Sequence, residues 1–295
     1  MKFVCSLFRV PVDHHVQVAR AAEEAGFEAV ALSDRIAHVE SVSTKFPYTE
    51  DGSRPWLAED EFPDVWVATA MMAAVTTRLR FLQAVYVLPA RDPFSVARSL
   101  GTLARMSNHR VSLGFGVGWM REEFDLMGRN FERRGARSDE MIELMRKLWT
   151  GESVDHRGEF FDIEGIRMRP AVKEPIPILC SGESEAALRR AARLAGGWIP
   201  PISMVTPEDL LAPLETLRAY RREAGRAGEP FDVYWTPLAG WRDEESSALE
   251  ALGVSHVFAS PWAFDEVGSL DLEQRCAAIE DFGRTIIRSA NADSR

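Results

Sequence analysis

A short apolar strand followed by an amphipathic helix recurs eight times along the chain, and this alternation constrains the fold more than any other feature. Repeated strand–helix units require a parallel sheet with right-handed crossovers. Eight such units favour closure into a (β/α)8 TIM barrel, with a doubly wound open sheet as the alternative. The strands are predicted at residues 3–8, 28–33, 79–88, 110–115, 176–180, 197–199, 231–235 and 254–259.

The length of 295 residues fits one barrel, because α/β barrels of about 250 residues fold as single domains. We therefore predict one domain over residues 1–295. Two segments interrupt the alternation: a polar loop at 34–60 after the second strand, and a hairpin-like excursion at 151–170 before the fifth. Connections of this length usually carry function, so we expect both to shape a substrate site.

The charge and the cysteines restrict the partners. The net charge of −10 disfavours nucleic acid and anionic membranes as partners. No apolar run approaches the roughly 20 residues that span a bilayer. Cys5, Cys180 and Cys276 lie far apart without neighbouring histidines, so we expect no metal site, reduced thiols and a cytoplasmic protein.

Several residues are typical of helix ends. Asp13 is predicted to cap the first helix, which ends near Gly26. Asp92 precedes Pro93 at a strong helix start, and Ser184 precedes another helix. These signals fix where each strand gives way to its loop, and the loops are where a barrel carries its site.

The loops after the strands supply the candidate site residues. Each has an alternative: Asp34 and Arg35 could form a local ion pair, Trp119 could pack on the barrel, and Ser184 could merely cap its helix. Free N–H groups and the dipole at that helix start suit a phosphate. The candidates are Asp34 and Arg35 after the second strand, Trp119, Glu122 and Glu123 after the fourth, and Ser181, Gly182 and Glu183 after the fifth.

Three alternating glycines, Gly114, Gly116 and Gly118, end the fourth strand. They invite a dinucleotide-binding interpretation, but the GxGxxG spacing fails because Trp119 and Arg121 stand where glycine is needed. Glycine allows close approach of the backbone to a flat ligand, and we favour that interpretation. The alternative is tight packing at the end of a barrel strand.

An ordered set of motifs resembles the bacterial-luciferase-like oxidoreductases. The resemblance runs over roughly residues 12–199 and is strongest with the F420-dependent branch. It implies a TIM-type barrel that binds either FMN or the deazaflavin F420. The motifs are LPARDP at 88–93, RVSLGFGVGW at 110–119, FERRG at 131–135, LWTG at 148–151, GEFF at 158–161, SGES at 181–184 and ALRRAA at 187–192.

The resemblance also implies roles for individual residues. A bulge, often with a non-prolyl cis peptide, would lie against the cofactor ring at Gln83, Ala84 and Val85. The loop of Gly116, Val117, Gly118 and Trp119 would flank the cofactor, and Ser181, Gly182 and Glu183 would bind its phosphate. Asp34 would end the second strand beside it. The chain departs from many members by having Arg35 where they have histidine, and Ser181-Gly182 where they have two glycines.

The resulting hypothesis is hydride transfer between F420 and a small organic substrate, with the cofactor supplying the chemistry. Asp34, Arg35, Trp119 and Glu122 are the candidate catalytic residues. A same-class alternative is an FMN monooxygenase that receives reduced flavin from a separate reductase. Alternatives of other classes are a non-catalytic flavin-binding barrel and a phosphate-binding lyase or isomerase. The resemblance further implies a homodimer.

Overall fold

Eight parallel strands close into a barrel, which confirms the fold that the alternation predicts. The structure is a computed structural model that describes residues 1–237, 240–263 and 266–288. Around the barrel the strands follow the order β1, β2, β3, β5, β8, β9, β10 and β11, and β11 pairs with β1 again. This closure excludes the open-sheet alternative.

The elements have the following bounds. The strands are Lys2–Ser6 (β1), Ala29–Leu32 (β2), Arg80–Gln83 (β3), Tyr86–Val87 (β4), Val111–Gly116 (β5), Val154–Arg157 (β6), Asp162–Ile166 (β7), Ile178–Ser181 (β8), Gly197–Ile199 (β9), Asp232–Trp235 (β10) and His256–Ala259 (β11). The helices are His15–Ala25 (α1), Val65–Ala73 (α2), Pro93–Met106 (α3), Arg121–Leu126 (α4), Arg134–Trp149 (α5), Glu185–Leu194 (α6), Leu211–Glu223 (α7), Ser246–Leu252 (α8) and Leu272–Phe282 (α9).

Two apolar layers hold the barrel together. A large cluster fills the space between the strands and the helices. A smaller cluster fills the inside of the barrel, as expected for a packed core rather than a pore. Its buried members are Val4, Ala29, Ala31, Leu82, Leu179, Ile199, Tyr234 and Phe258.

The predicted third strand, residues 79–88, is divided in two. β3 ends at Gln83, the peptide between Ala84 and Val85 is cis, and the short strand β4 follows. β3 and β4 both pair with β5. The break and the cis peptide lie where the resemblance implies them.

The excursion at 151–170 contains the antiparallel pair β6–β7, which confirms the predicted hairpin. Asp92 caps α3 through its side chain, as predicted, and Ser184 caps α6, which is the alternative that the sequence left open. The predicted cap at Asp13 is wrong. Asp13 lies inside the 3-10 turn of Val12–His14, which has no side-chain cap, and α1 begins after it at His15. The Val12 N–H donates to Glu61 at 2.7 Å.

No helix among residues 1–237, 240–263 and 266–288 is long and apolar enough to cross a bilayer. That residues 1–295 form one domain stays a prediction, since it includes segments outside the described residues.

Candidate functional site

A cavity of about 1060 Å3 opens at the carboxyl ends of the barrel strands. This is the end at which barrel enzymes carry their active sites. The volume is at the upper limit of the roughly 300–1,000 Å3 of ligand pockets, so it leaves room for a cofactor ring and a substrate. Most predicted site residues line it: Asp34, Arg35, Ala84, Val85, Gly116, Val117, Gly118, Trp119, Ser181, Gly182 and Glu183.

The strand order gives the cavity two opposite sides. β8 stands four positions from β1 around the ring of eight strands, so the loops after these strands face each other. We call the side formed by residues 181–184 and Arg134 the phosphate side. Facing it, the loops after β1 and β2 bring Phe8, Phe46, Trp56 and Phe62 to the lining.

The phosphate side is formed largely by backbone. Gly182 has φ +116°, a conformation that favours glycine, and a Cβ there would lie 2.9 Å from the Cβ of Ala187. The Ser184 hydroxyl accepts the Ala187 N–H at 3.3 Å and caps α6. The amino end of this ten-residue helix therefore opens on the cavity, as an anion site requires.

Arg134 adds a positive charge to the phosphate side, and sequence reasoning missed it. Its Nε donates to the Gly118 carbonyl at 2.9 Å and its guanidinium lies 3.8 Å from the Phe131 ring centroid. Burial lowers the pKa of its guanidinium, yet arginine remains charged. Arg134 lies inside the motif FERRG, which the resemblance singled out as sequence without a role.

The cis peptide between the two parts of the third strand forms part of the cavity lining. Ala84 and Val85 line the cavity, whereas Gln83 is fully buried and lies outside the lining. Leu82 belongs to the inner core and Phe81 to the outer one, so the alternation along β3 points Gln83 outward. The Gln83 side chain therefore lies behind the cavity wall, and the contact of this segment with a cofactor stays a prediction.

The three glycines of the fourth predicted strand are explained by protein packing. A Cβ on Gly114 would lie 2.0 Å from the backbone oxygen of Gln83. One on Gly116 would approach Val85 to 3.0 Å, and Gly118 has φ +77°. The packing alternative accounts for all three positions, although Gly116 and Gly118 also line the cavity.

Asp34 ends the second strand and lies in the cavity wall, but its carboxylate is fully engaged. One oxygen accepts the Val87 N–H at 2.9 Å, and the other pairs with Arg91 at 2.7 Å. The predicted local ion pair with Arg35 is thus replaced by one with Arg91. These contacts fasten the end of β2 to the segment after the cis peptide.

Arg35 pairs with Glu123, a candidate after the fourth strand, rather than with Asp34. Its Nη1 lies 3.0 Å from Glu123 Oε2, and Glu123 Oε1 accepts the Ile36 N–H at 3.1 Å. Glu123 is completely buried. Burial raises the pKa of Glu123, while the Arg35 charge and the Ile36 N–H oppose that rise.

Four aromatic side chains form a connected group that we call the aromatic wall: Phe46, Trp56, Phe62 and Trp119. Ring centroids lie 5.5 Å apart for Phe46 and Trp56, and 5.4 Å apart for Phe46 and Trp119. Trp56 also contacts Phe62 at 6.0 Å. The Arg35 guanidinium lies 4.9 Å from the Trp56 ring and 5.7 Å from that of Trp119.

Glu122 lies outside the cavity lining. Its Oε1 accepts the Ser43 N–H at 2.7 Å and the Ser43 hydroxyl at 2.6 Å, and these hydrogen bonds lower its pKa. The structure therefore gives Glu122 a loop contact rather than the predicted place beside the cofactor. The next residue of α4, Glu123, is buried instead and pairs with Arg35.

The comparisons assign the chain to a family. Residues 3–274 match the model of the luciferase-like monooxygenases, and the chain belongs to this family. An uncharacterised protein of Mycobacterium tuberculosis is 41% identical over 243 residues, which cover 82% of this chain and 83% of that protein. An F420-dependent glucose-6-phosphate dehydrogenase of Amycolatopsis mediterranei is 29% identical over 265 residues, covering 80% and 73%.

Solved structures show the same fold. A monooxygenase from Streptomyces bottropensis superposes with a TM-score of 0.78 at 20% identity, over 98% of this chain and 100% of that one. A coenzyme F420-dependent tetrahydromethanopterin reductase from Methanopyrus kandleri gives 0.72 at 16% identity, over 98% and 99%. The chain thus shares the fold of these enzymes and, through the family match, belongs to the luciferase-like superfamily of oxidoreductases.

Proposed function

We propose that the protein is an F420-dependent oxidoreductase that exchanges a hydride with a small organic substrate. The observation that carries this choice over FMN is the charge of the phosphate side. Among the described lining residues there, Arg134 is a cation without an ion-pair partner, and Glu183 adds a carboxylate. The similarity to an F420-dependent dehydrogenase supports the same choice.

The two cofactors differ in the charge of their phosphates. FMN ends in a phosphate monoester, which carries about −1.5 to −2 at pH 7, as phosphate monoesters do. F420 carries a phosphodiester with a single negative charge. One arginine and a helix amino end match the single charge of the phosphodiester group, while Glu183 disfavours a second charge on the phosphate itself.

When bound, F420 supplies a carbon that gives or accepts a hydride. The chain provides support and orientation: Ala84 and Val85 would support the ring, and Ser181, Gly182 and Arg134 would hold the phosphate. Asp34 and Arg35 are engaged in ion pairs, so we assign them to positioning rather than to proton transfer. Tyr48 lines the cavity, and burial together with Glu183 raises its pKa, so its neutral phenol remains a hydrogen-bond donor.

The test is a titration of the purified protein with F420 and, separately, with FMN, followed by cofactor fluorescence and by calorimetry. We expect F420 to bind at least about tenfold more tightly, which corresponds to about 1.4 kcal/mol. Tighter binding of FMN would favour the monooxygenase that receives flavin from a separate reductase. Binding of neither would overturn the proposal and leave the lyase or isomerase alternative.

A non-catalytic flavin-binding barrel would bind F420 without turning over any acceptor. The size of the cavity argues against an occluded pocket of that kind. The homodimer stays a prediction, as does the cytoplasmic location. Sedimentation analysis tests the former, and the exposed apolar residues Val67 and Met71 on α2 are the first positions to examine.

A further inference from the structure

The side of the cavity opposite the phosphate side is aromatic to an unusual extent. Besides the aromatic wall, the loops after β1, β10 and β11 contribute aromatic rings to the lining. With a cofactor held on the phosphate side, these rings would surround whatever occupies the rest of the cavity. They are Phe8, Trp241 and Trp262.

The positive charge on this side is already neutralised. Within the described part of the lining, the cations are Arg35 and Arg134, and Arg134 belongs to the phosphate side. Arg35 pairs with the buried Glu123 at 3.0 Å and covers the Trp56 ring. The Glu123 carboxylate offsets the Arg35 charge, so the pair offers little net attraction to a substrate phosphate or carboxylate.

The acidic residues point the same way. Asp34 lies in the wall with its charge taken up by Arg91, and Glu266 contributes a carboxylate to the lining. An anion entering this side would lose hydration without gaining a positively charged partner, which disfavours its binding. An aromatic surface, in contrast, gains from the contact of flat apolar molecules.

We infer that the substrate is an uncharged, flat and mainly apolar molecule that packs against the aromatic wall, with Trp56 and Trp119 as its main contacts. This inference rests on the proposed function in one respect, namely that the cofactor occupies the phosphate side. It separates this chain from its relative in Amycolatopsis mediterranei, whose name gives glucose 6-phosphate as substrate. The hydroxyl groups of Ser33, Tyr48, Thr236 and Ser260 in the lining would orient a carbonyl or hydroxyl of such a molecule.

The experiment compares three probes of differing charge on the F420-loaded protein by calorimetry and tryptophan fluorescence. They are 2-acetylnaphthalene, which is uncharged, 2-naphthoate, which matches it in size but is an anion, and glucose 6-phosphate. We expect the ketone to bind at least about tenfold more tightly than the naphthoate, and glucose 6-phosphate not to bind. Equal binding of the two naphthalenes, or binding of the sugar phosphate, would overturn the inference.

Two variants test the residues. Trp56→Leu removes the central ring, and we expect the ketone affinity to fall about tenfold. Leu57→Ala is the matched control, because Leu57 is the next residue on the same loop, is 52% exposed and lies outside the lining. An unchanged ketone affinity in a folded Trp56→Leu protein would contradict the assignment.

Glu123→Gln tests whether the Glu123 carboxylate offsets the Arg35 charge, and it leaves all aromatic rings of the cavity in place. It frees the Arg35 charge, so the affinity for 2-naphthoate should rise several-fold while that for the ketone stays. If the naphthoate affinity did not rise, Arg35 would not be the neutralised cation of this side. Should F420 itself fail to bind, the same probe comparison on the cofactor-free protein still decides the substrate class, while the proposed function falls.

Discussion

The two sides of the cavity are built from different materials. The phosphate side consists of backbone N–H groups, a glycine at φ +116° and a single arginine, all on short connections between β8 and α6 or at the start of α5. The aromatic side consists of large side chains, of which Phe46 and Trp56 lie on the long loop at 34–60 and Trp119 lies on the loop after β5. In the proposed function, the cofactor would therefore be recognised by the geometry of the barrel and the substrate by side chains that can change without altering the barrel.

The largest change in stability is expected at Gly114 in β5, the strand that lies between the two parts of the third predicted strand and β8. In Gly114→Ala the new Cβ would lie 2.0 Å from the Gln83 backbone oxygen, which cannot move aside like a side chain. We expect the free energy of unfolding to fall by about 3 kcal/mol, measured by urea denaturation. Gly228→Ala, where nothing lies within 4 Å, is the control and should change stability by less than about 0.5 kcal/mol. An unchanged free energy of unfolding in Gly114→Ala would mean that the close packing of β5 against Gln83 is not needed for the fold around the cavity.

Arg134→Met should weaken binding at the phosphate side without changing binding at the aromatic side. Loss of a charged hydrogen-bond donor costs about 2 to 3 kcal/mol, so the Kd for F420 should rise on the order of 50-fold. The preference for uncharged over anionic naphthalenes should stay as it is. Arg133→Met is the control, because Arg133 is exposed and pairs with Glu159 away from the lining. Equal losses in the two variants would remove Arg134 from the cofactor site.

Acid should destabilise the barrel itself rather than either side. His256 at the start of β11 stacks on Tyr234 at 4.3 Å, and burial lowers its pKa to about 4, while Asp232 partly opposes this. The unfolded chain binds a proton near pH 6.5 and the folded chain only near pH 4, so stability falls as the pH drops through this window.

Between pH 7 and pH 5 the loss from His256 should be about 2 kcal/mol. His256→Phe should abolish that part of the pH dependence, and His38→Asn, at an exposed histidine, should leave it unchanged. Urea denaturation at both pH values provides the measurement. An identical slope in wild type and His256→Phe would show that the histidine titrates normally.

The smallest effect is expected at Glu122. In Glu122→Gln the contact with Ser43 is retained in part, so stability should change by less than about 0.5 kcal/mol and the affinities for F420 and 2-acetylnaphthalene by less than about twofold. Both are measured by the titrations above. A tenfold loss of either affinity would return Glu122 to the site that the sequence predicted for it.

The sequence predicted what depends on local pattern. The eight strand–helix units, the cap at Asp92 and the hairpin between β6 and β7 follow from periodicity and turn chemistry, and the structure bears them out. The cis peptide at Ala84 came from the resemblance rather than from the residues. Asp13 failed as a cap because it lies inside the 3-10 turn of Val12–His14, so that α1 begins only at His15.

The contacts that define the site escaped prediction because they join distant parts of the chain. Arg35 and Glu123 are 88 residues apart, and no periodicity links them. Arg134 comes to the phosphate side only because α5 begins beside the loop after β5, where it binds the Gly118 carbonyl. From sequence alone, an arginine at the start of a helix is expected to be a solvent-exposed charge. Its place in the cavity lining became evident only from the fold.

The long loop at 34–60 has an internal framework of its own. The Phe46 N–H donates to Gly52 at 3.0 Å, the Thr49 hydroxyl to Ser53 at 2.7 Å, and Arg54 to the Val39 carbonyl at 2.7 Å. These hydrogen bonds lie within residues 39–54, so this part of the loop can be exchanged while Asp34 and Arg35 keep their contacts with Arg91 and Glu123. Exchange of this segment would give the same barrel a new substrate range while the residues proposed to hold the cofactor stay unchanged.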